Sequence, residues 1–196
     1  MDARVTELHC IMPMTNIPSV MQHGVLSYER AAKLVHKSVA MQPVQDKRDR
    51  TQIPGGLKLH QYANLYFHAR NPMLSARRAE ADSLCVLCVS TSVLSLPGTV
   101  ITDQNAASDY VRFLALSQWQ LLDWDLIFAT DWRHPDDQIA EWRHKSRKCA
   151  EVLVPHCVRP DLIVGAYVVD AAAARRLTNS GFTLPATIDP VMFFRG

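Results

Sequence analysis

Residues 84–89 read Leu-Cys-Val-Leu-Cys-Val, and this nearly continuous apolar run constrains the fold of the chain more than any other segment. A run of this length that is rich in valine favours a β-strand. A strand without alternating polar residues is typical of one that is buried on both faces. The chain must therefore build a sheet that is covered on both sides, and its 48% hydrophobic residues are enough to do so.

The same run contains a Cys-x-x-Cys pair, Cys85 and Cys88, which is a spacing found in metal and redox sites. Side chains three positions apart on a strand point to opposite faces, so these two thiols are not expected to chelate one ion. No second Cys pair or paired His stands at zinc spacing. An odd total of five cysteines indicates free thiols, and we expect no metal.

The remaining pattern mixes strands and helices without repeats. Apolar and aromatic runs predict strands at 9–12, 62–67, 99–102, 151–154, 163–169 and 188–194. Helical spacing predicts helices at 17–23, 28–35, 106–116 and 171–177. Asn16 is suited to cap the first helix, and Gly24 is suited to end it. The prediction is one α+β domain over residues 1–196.

Composition says little about partners. The 196 residues carry a formal net charge of +2, which is too small to indicate nucleic-acid binding by itself. The chain has no apolar run of membrane-spanning length, and its first residues do not resemble a secretory signal. We therefore expect a cytoplasmic protein that does not enter a membrane.

Residues 36–59 are predicted to form a long, basic connection without periodicity. Connections of this length are uncommon in compact domains and often functional, although a mobile surface insertion is the plain alternative. Arg48 lies within this connection. Its guanidinium is suited to hold a phosphate, or it is simply solvated.

The chain lacks the glycine-rich nucleotide motifs, the nucleophile elbow and the zinc-protease motif. Polar residues at strand ends are what remains. Glu151 opens an apolar strand after a basic run, so it is either a surface ion-pair partner or a carboxylate that stabilises a developing cation. His9 and Tyr66 lie in predicted strands, where core packing competes with ligand binding.

Residues 131–148 interleave aromatic and cationic side chains, a composition typical of a groove for single-stranded nucleic acid. The alternative is an amphipathic helix that packs Trp142 inward. Six residues of this region are the predicted nucleic-acid contacts: Trp132, Arg133, Arg143, Lys145, Arg147 and Lys148.

Five segments, taken in order, resemble the DarT family of bacterial toxin enzymes. They are Asn16 to Ser27, Val44 to Arg48 with Ile53 to Gly56, Leu59 to Phe67 with Arg70 to Leu74, Ile101 to Ala106, and Lys148 to Val154. The resemblance covers roughly residues 9 to 195. It implies an ADP-ribosyltransferase fold with a split, mixed β-core and NAD⁺ in the cleft between its parts.

The resemblance also assigns site residues. It implies Glu151 as the catalytic acid and Arg48, or Arg50 two positions later, as the arginine of the basic loop. It implies that His9, Asn16, Tyr66 and Met73, together with Arg48, lie at the NAD⁺ site. Asn105 stands where some relatives carry a histidine.

The implied activity is transfer of ADP-ribose from NAD⁺ to a thymine or guanine base of single-stranded DNA, with residues 36–59 covering NAD⁺. The implied partner is an antitoxin that removes ADP-ribose, of the macrodomain type called DarG. Two alternatives stay open: an enzyme of this fold that acts on RNA, protein or water, and a non-enzymatic nucleic-acid-binding module.

Overall fold

A central sheet of eight strands organises the computed structural model, which describes residues 1–195. The strands stand in the order β10-β9-β4-β1-β3-β7-β5-β6. Their bounds are β1 Leu8–Pro13, β3 Tyr62–Tyr66, β4 Leu84–Val89, β5 Val100–Thr102, β6 Phe113–Leu114, β7 Glu151–Pro155, β9 Ile163–Val168 and β10 Ala186–Ile188.

Strand β4 lies inside this sheet, between β1 and β9, and all six of its residues are buried. It pairs antiparallel with both neighbours. The apolar run at residues 84–89 is thus confirmed as a strand covered on both faces. Only β9 and β10 pair in parallel, so the sheet is mixed.

A second sheet contains the two short strands β2 Val25–Leu26 and β8 Cys157–Val158. Gly24 precedes β2 with a φ of 82°, and a Cβ there would overlap the carbonyl oxygen of Val158. Glycine is therefore required at this position, both for the backbone conformation and for the close approach of the two segments.

Within residues 1–195, seven α-helices surround the sheets. They are α1 Ile17–His23, α2 Tyr28–Ala31, α3 Gln42–Arg50, α4 Pro72–Ala76, α5 Trp124–Phe128, α6 Gln138–Lys148 and α7 Ala171–Asn179. The fold is α+β, as predicted. No helix within residues 1–195 has the length and apolar character needed to cross a membrane.

Four sequence predictions need correction. The connection 36–59 contains helix α3. Only one side of this helix packs against the protein, so most of its residues are polar and its helical periodicity is not apparent in the sequence. Residues 106–116 form a loop and the short strand β6 rather than a helix, because hydrogen bonds from two loop amides to carboxylates and the Arg112–Asp103 ion pair hold them beside β5 and β7. Helix α2 ends at Ala31 rather than at residue 35, and the last strand, β10, ends where a turn at 190–194 begins.

Candidate active site

A cavity of about 460 Å³ lies against β1 and β3. Its volume is within the range of about 300–1,000 Å³ that is typical of small-molecule sites. It is bordered by residues of α1, of segment 36–48 and of the C-terminal half of α6, and its lining includes Asn16, Arg48, Tyr66, Met73 and Asn105. Four residues assigned to the NAD⁺ site thus meet in one cavity.

A buried ion pair lies at the edge of this cavity. Nη1 of Arg48 is 3.2 and 3.1 Å from the two carboxylate oxygens of Glu151. Glu151 is fully buried and Arg48 is 6% exposed. Arg48 lines the cavity, whereas Glu151 lies behind the lining residues and contacts the cavity side through Arg48. Of the two candidate arginines, Arg48 is thus the one that contacts the predicted catalytic acid, whereas Arg50 is exposed.

The backbone around Glu151 fixes the position of its carboxylate. The amide N–H of Ala106 donates to Oε1 of Glu151 at 2.9 Å. The Glu151 amide donates to the hydroxyl oxygen of Thr102 at 2.9 Å, and that hydroxyl donates to the Gln104 carbonyl oxygen. One threonine therefore ties the start of β7 to the loop that supplies the Ala106 donor.

Tyr66 stands directly opposite Glu151 in the β3–β7 ladder. Burial, together with the negative charge of Glu151, raises the pKa of the Tyr66 phenol well above its usual value. Burial likewise raises the pKa of the neighbouring Cys149 thiol to about 12. Both groups stay protonated at neutral pH, so Tyr66 is a hydrogen-bond donor and not a base.

Asn16 anchors the segment that borders the cavity. Its side-chain oxygen accepts from the Lys37 amide at 2.9 Å, and its Nδ2 donates to the Lys37 carbonyl at 2.8 Å. It makes no capping hydrogen bond to α1, contrary to the sequence prediction. Arg77 adds a second attachment, donating from Nε to the Val39 carbonyl at 3.1 Å.

The structure does not bring His9 into the cavity. Its Nε2 is 3.3 Å from Oε1 of Glu7, and its ring lies 6.1 Å from the Tyr167 ring. Oε1 of Glu7 also accepts a hydrogen bond from the Tyr167 hydroxyl. His9 thus belongs to a part-buried polar cluster with Glu7 and Tyr167, outside the cavity, which does not match its predicted contact with NAD⁺.

Two of the predicted nucleic-acid contacts are buried. Trp132 is 9% exposed and packs edge-on against Phe194, with ring centroids 5.8 Å apart. Lys148 is fully buried, and its Nζ lies 2.7 Å from Nδ1 of His68 and donates to the Ile127 carbonyl at 2.7 Å. These contacts correct the prediction, because neither side chain can reach a base or a phosphate.

Four predicted nucleic-acid contacts do reach the surface. Arg133 is exposed and pairs with Asp131, Arg143 is exposed on α6, and Lys145 and Arg147 are half-buried. Lys145 also lines the cavity and pairs with Glu141 one helical turn earlier. The alternative in which Trp142 packs inward is wrong, because Trp142 is 59% exposed.

Sequence reasoning missed the polar loop that supports Glu151. Thr102 and Ala106 act there through a hydroxyl and a backbone amide, and neither residue type stands out in a sequence. Asn105 was noticed only by resemblance. Its side-chain oxygen accepts from the Ala107 amide at 2.8 Å, and its own amide donates to the Ser146 carbonyl at 2.9 Å.

The sequence profile of a known family matches residues 9–194 of this chain. That family is described as "ssDNA thymidine ADP-ribosyltransferase, DarT". The chain belongs to the DarT family. The match runs from the second residue of β1 past the last strand, and it therefore includes all the residues that line the cavity of this DarT chain.

Individual proteins agree with this assignment. A DNA ADP-ribosyl transferase–DNA ADP-ribosyl glycohydrolase fusion protein from Thermosipho africanus is 30% identical over 97% of this chain, which spans 50% of that protein. The structure of Thermosipho africanus DarTG in complex with ADP-ribose superimposes with a TM-score of 0.83, at 28% identity, over 96% of this chain and 51% of that one. This DarT chain therefore spans about half the length of the fusion protein.

A structure of a shorter relative covers the whole fold. Thermus sp. 2.9 DarT in complex with ADP-ribosylated ssDNA superimposes with a TM-score of 0.80, over 96% of each chain. The two sequences are 22% identical, so this likeness supports the fold. Together with the Thermosipho africanus match, it confirms the predicted ADP-ribosyltransferase architecture for this DarT chain.

Proposed function

We propose that this DarT chain splits NAD⁺ and transfers its ADP-ribose to a thymine base of single-stranded DNA, releasing nicotinamide. The observation that carries the proposal is the pairing of buried Glu151 with Arg48 beside a cavity of ligand size. Family membership supports the reaction type, and the family description names thymidine as the acceptor.

The cavity offers the groups that a dinucleotide needs. Tyr66 and Met73 give it apolar and aromatic surface for a ring, and Arg48 and Lys145 bring positive charge for the diphosphate. Segment 36–41, fixed by Asn16 and Arg77, borders the same space and is suited to cover a bound nucleotide. NAD⁺ is a substrate here, consumed in each turnover.

The proposed chemistry centres on the ribose that bears nicotinamide. The bond between the nicotinamide nitrogen and the ribose anomeric carbon breaks, and nicotinamide leaves with the bonding electrons. Positive charge then develops on the sugar, and the Glu151 carboxylate stabilises it. A nitrogen of the base attacks the anomeric carbon and loses its proton to Glu151, which passes that proton on to water.

Arg48 has two successive tasks in this scheme. In the unliganded chain it neutralises Glu151, since a buried carboxylate without a partner is costly. When NAD⁺ enters, the guanidinium must move off the carboxylate to let the ribose reach it, and the diphosphate is a suitable new partner. Ala106 keeps its hydrogen bond to Glu151 throughout, which holds the carboxylate in place.

The acceptor strand is proposed to cross the exposed side of α6. Arg133, Arg143, Lys145 and Arg147 supply cations for phosphates, and exposed Trp142 offers a surface on which a base can stack. Lys145 belongs to both the cavity lining and this surface, so α6 links the proposed NAD⁺ and DNA sites. A DNA substrate supports the expected cytoplasmic location.

The relatives support a toxin–antitoxin pairing. In the Thermosipho africanus protein, a DNA ADP-ribosyl transferase is fused to a DNA ADP-ribosyl glycohydrolase. We infer that this chain likewise works with a DarG-type partner of the macrodomain kind, which removes the ADP-ribose it attaches.

Replacing Glu151 with glutamine tests the proposed function. Glutamine keeps the shape of the side chain and an oxygen for the Ala106 amide, but it removes the charge. Incubation with NAD⁺ and an oligonucleotide containing thymine should yield ADP-ribosylated thymidine in the wild type, detected by mass spectrometry of the digested nucleosides. In Glu151→Gln the rate should fall by about 100-fold or more.

The matched control is Glu29→Gln, because Glu29 is exposed on α2 and makes no ion pair within the described residues. This control should keep the wild-type rate. Thymine modification at the wild-type rate in a folded Glu151→Gln protein would remove Glu151 from the mechanism. Modification of guanine alone would reject the proposed acceptor, and a wild type that modifies RNA but not DNA would reject the substrate class.

A further inference from the structure

The loop at residues 103–112 is part of the active-site wall. Ala106 in this loop donates to the Glu151 carboxylate, and Asn105 lines the cavity. The loop is held in shape from within, because Asp103 accepts from both the amide and the Nε of Arg112, at 2.9 and 2.7 Å. The backbone of this loop is therefore held at a defined position relative to the Glu151 carboxylate.

Tyr110 lies on this loop and is 87% exposed, more than any other aromatic side chain within residues 1–195. The other tyrosines are at most 40% exposed. Its backbone amide donates to the Ser108 hydroxyl at 3.5 Å, and the next amide, of Val111, donates to the Ser108 carbonyl at 3.3 Å. An exposed aromatic ring contributes no burial energy to folding, but it offers a flat apolar face on which another ring can stack.

An ion pair joins the Tyr110 loop to helix α3, which carries an exposed cation near its end. The adjacent Asp109 pairs with Lys47 of α3 at 3.3 Å, which neutralises the acid and joins the loop to the helix that bears Arg48. Arg50, on the same helix, is exposed and makes no ion pair within the described part of the chain. Arg112, at the end of the loop, is half exposed, but Asp103 already neutralises it at 2.7 Å, so Arg50 is the cation that stays available to a phosphate.

We propose that Tyr110 is a stacking subsite for the base next to the modified thymine in the single-stranded DNA acceptor, with Arg50 holding a phosphate of the same strand. The inference rests on the proposed function. It adds a residue that makes the enzyme prefer a DNA strand to a free nucleoside as the acceptor. Stacking is tolerant of base identity, because every base has a flat face. The subsite therefore favours single strands, whose bases are free to stack, over duplexes.

Three substitutions test the subsite. Tyr110→Ala should raise the KM for a thymine-containing oligonucleotide by about 10-fold, the loss expected for one base stack, and leave the KM for NAD⁺ unchanged. Tyr110→Phe and Tyr110→Trp keep a flat ring and should stay within about 2-fold of the wild type. Thermal unfolding confirms that each variant is folded.

Val164→Ala is the control for loss of an exposed apolar side chain. Val164 is 47% exposed in β9, which lies four strands away from β7 in the sheet, and this variant should behave as the wild type.

Oligonucleotides with an abasic site on one side of the thymine decide whether the effect is stacking. With the contacted neighbour removed, Tyr110→Ala and the wild type should have the same KM, as in a double-mutant cycle. A penalty that persists with both the 5′ and the 3′ abasic oligonucleotide would overturn the subsite, as would a wild-type KM in Tyr110→Ala. A wild type that releases nicotinamide but leaves DNA unmodified would overturn the proposed function and the subsite together.

Discussion

Lys148 provides the sharpest quantitative test of the structure. The sequence pattern predicted it to contact DNA, but the structure buries it fully. Burial lowers the pKa of its ammonium from 10.5 to about 7. Burial, and next the positive charge of Lys148, lowers the pKa of His68 to about 3, so His68 is neutral and its Nδ1 accepts from the lysine. The side chain thus joins α6 to the residues after β3 and to α5.

The lowered pKa predicts how stability depends on pH. Between about pH 7 and 10.5 the unfolded lysine binds a proton that the folded one releases, so stability must rise with pH through this window. A one-unit difference in pKa corresponds to about 1.4 kcal/mol, and the full difference is thus worth at most about 5 kcal/mol. Between pH 7 and pH 9.5 the wild type should gain about 3 kcal/mol from Lys148.

Lys148→Met removes this titration. The variant escapes the cost of burying the ammonium, but it leaves His68 and the Ile127 carbonyl without their donor, at about 1–3 kcal/mol for each unsatisfied group. It should therefore be close to the wild type in stability at pH 7 and about 3 kcal/mol less stable than the wild type at pH 9.5.

Urea denaturation at both pH values, under reducing conditions, measures the two stabilities. Lys145→Met, on the same helix but in contact with water, gives the background. The reasoning is refuted if wild type and Lys148→Met differ in unfolding free energy by the same amount at pH 7 and at pH 9.5. It is also refuted if Lys148→Met changes the salt dependence of DNA binding without changing the unfolding free energy.

Two further predictions concern the segment that borders the cavity and the residues of region 131–148 that were predicted to contact DNA. Asn16→Ala removes both hydrogen bonds to Lys37, worth about 1–3 kcal/mol together, so the KM for NAD⁺ should rise by about 10-fold while kcat changes little. Steady-state nicotinamide release measures both constants, and an unchanged KM would contradict the anchoring role of Asn16. Trp132→Ala should cost about 3–5 kcal/mol of unfolding free energy, because it removes a buried ring. Arg143→Ala should leave the melting temperature unchanged, weaken DNA binding and reduce the salt dependence of that binding. A Trp132→Ala protein that is fully stable but binds DNA more weakly would contradict the burial of Trp132.

Strong local patterns predicted most of the strands correctly. The apolar run of β4 and the valine-rich start of β7 are strands because their side chains leave few alternatives to burial in a sheet. Helix α1 was predicted correctly because Pro18 and Gly24 mark its ends. Weak patterns misled: α3 carries too few apolar residues for its periodicity to be recognised, and the polar loop at 106–112 has helical spacing by coincidence.

The sequence by itself determined that this chain builds a covered sheet, and its resemblance to DarT proteins singled out Glu151 and Arg48. Only the tertiary structure decided that these two residues, 103 positions apart, form one buried ion pair, and that Ala106 donates a hydrogen bond to the carboxylate. It also decided that Trp132 and Lys148 face the interior while Tyr110 faces water. The physical reason is that residue type sets what a side chain can do, whereas its burial and partners depend on which distant segments the sheet order brings beside it.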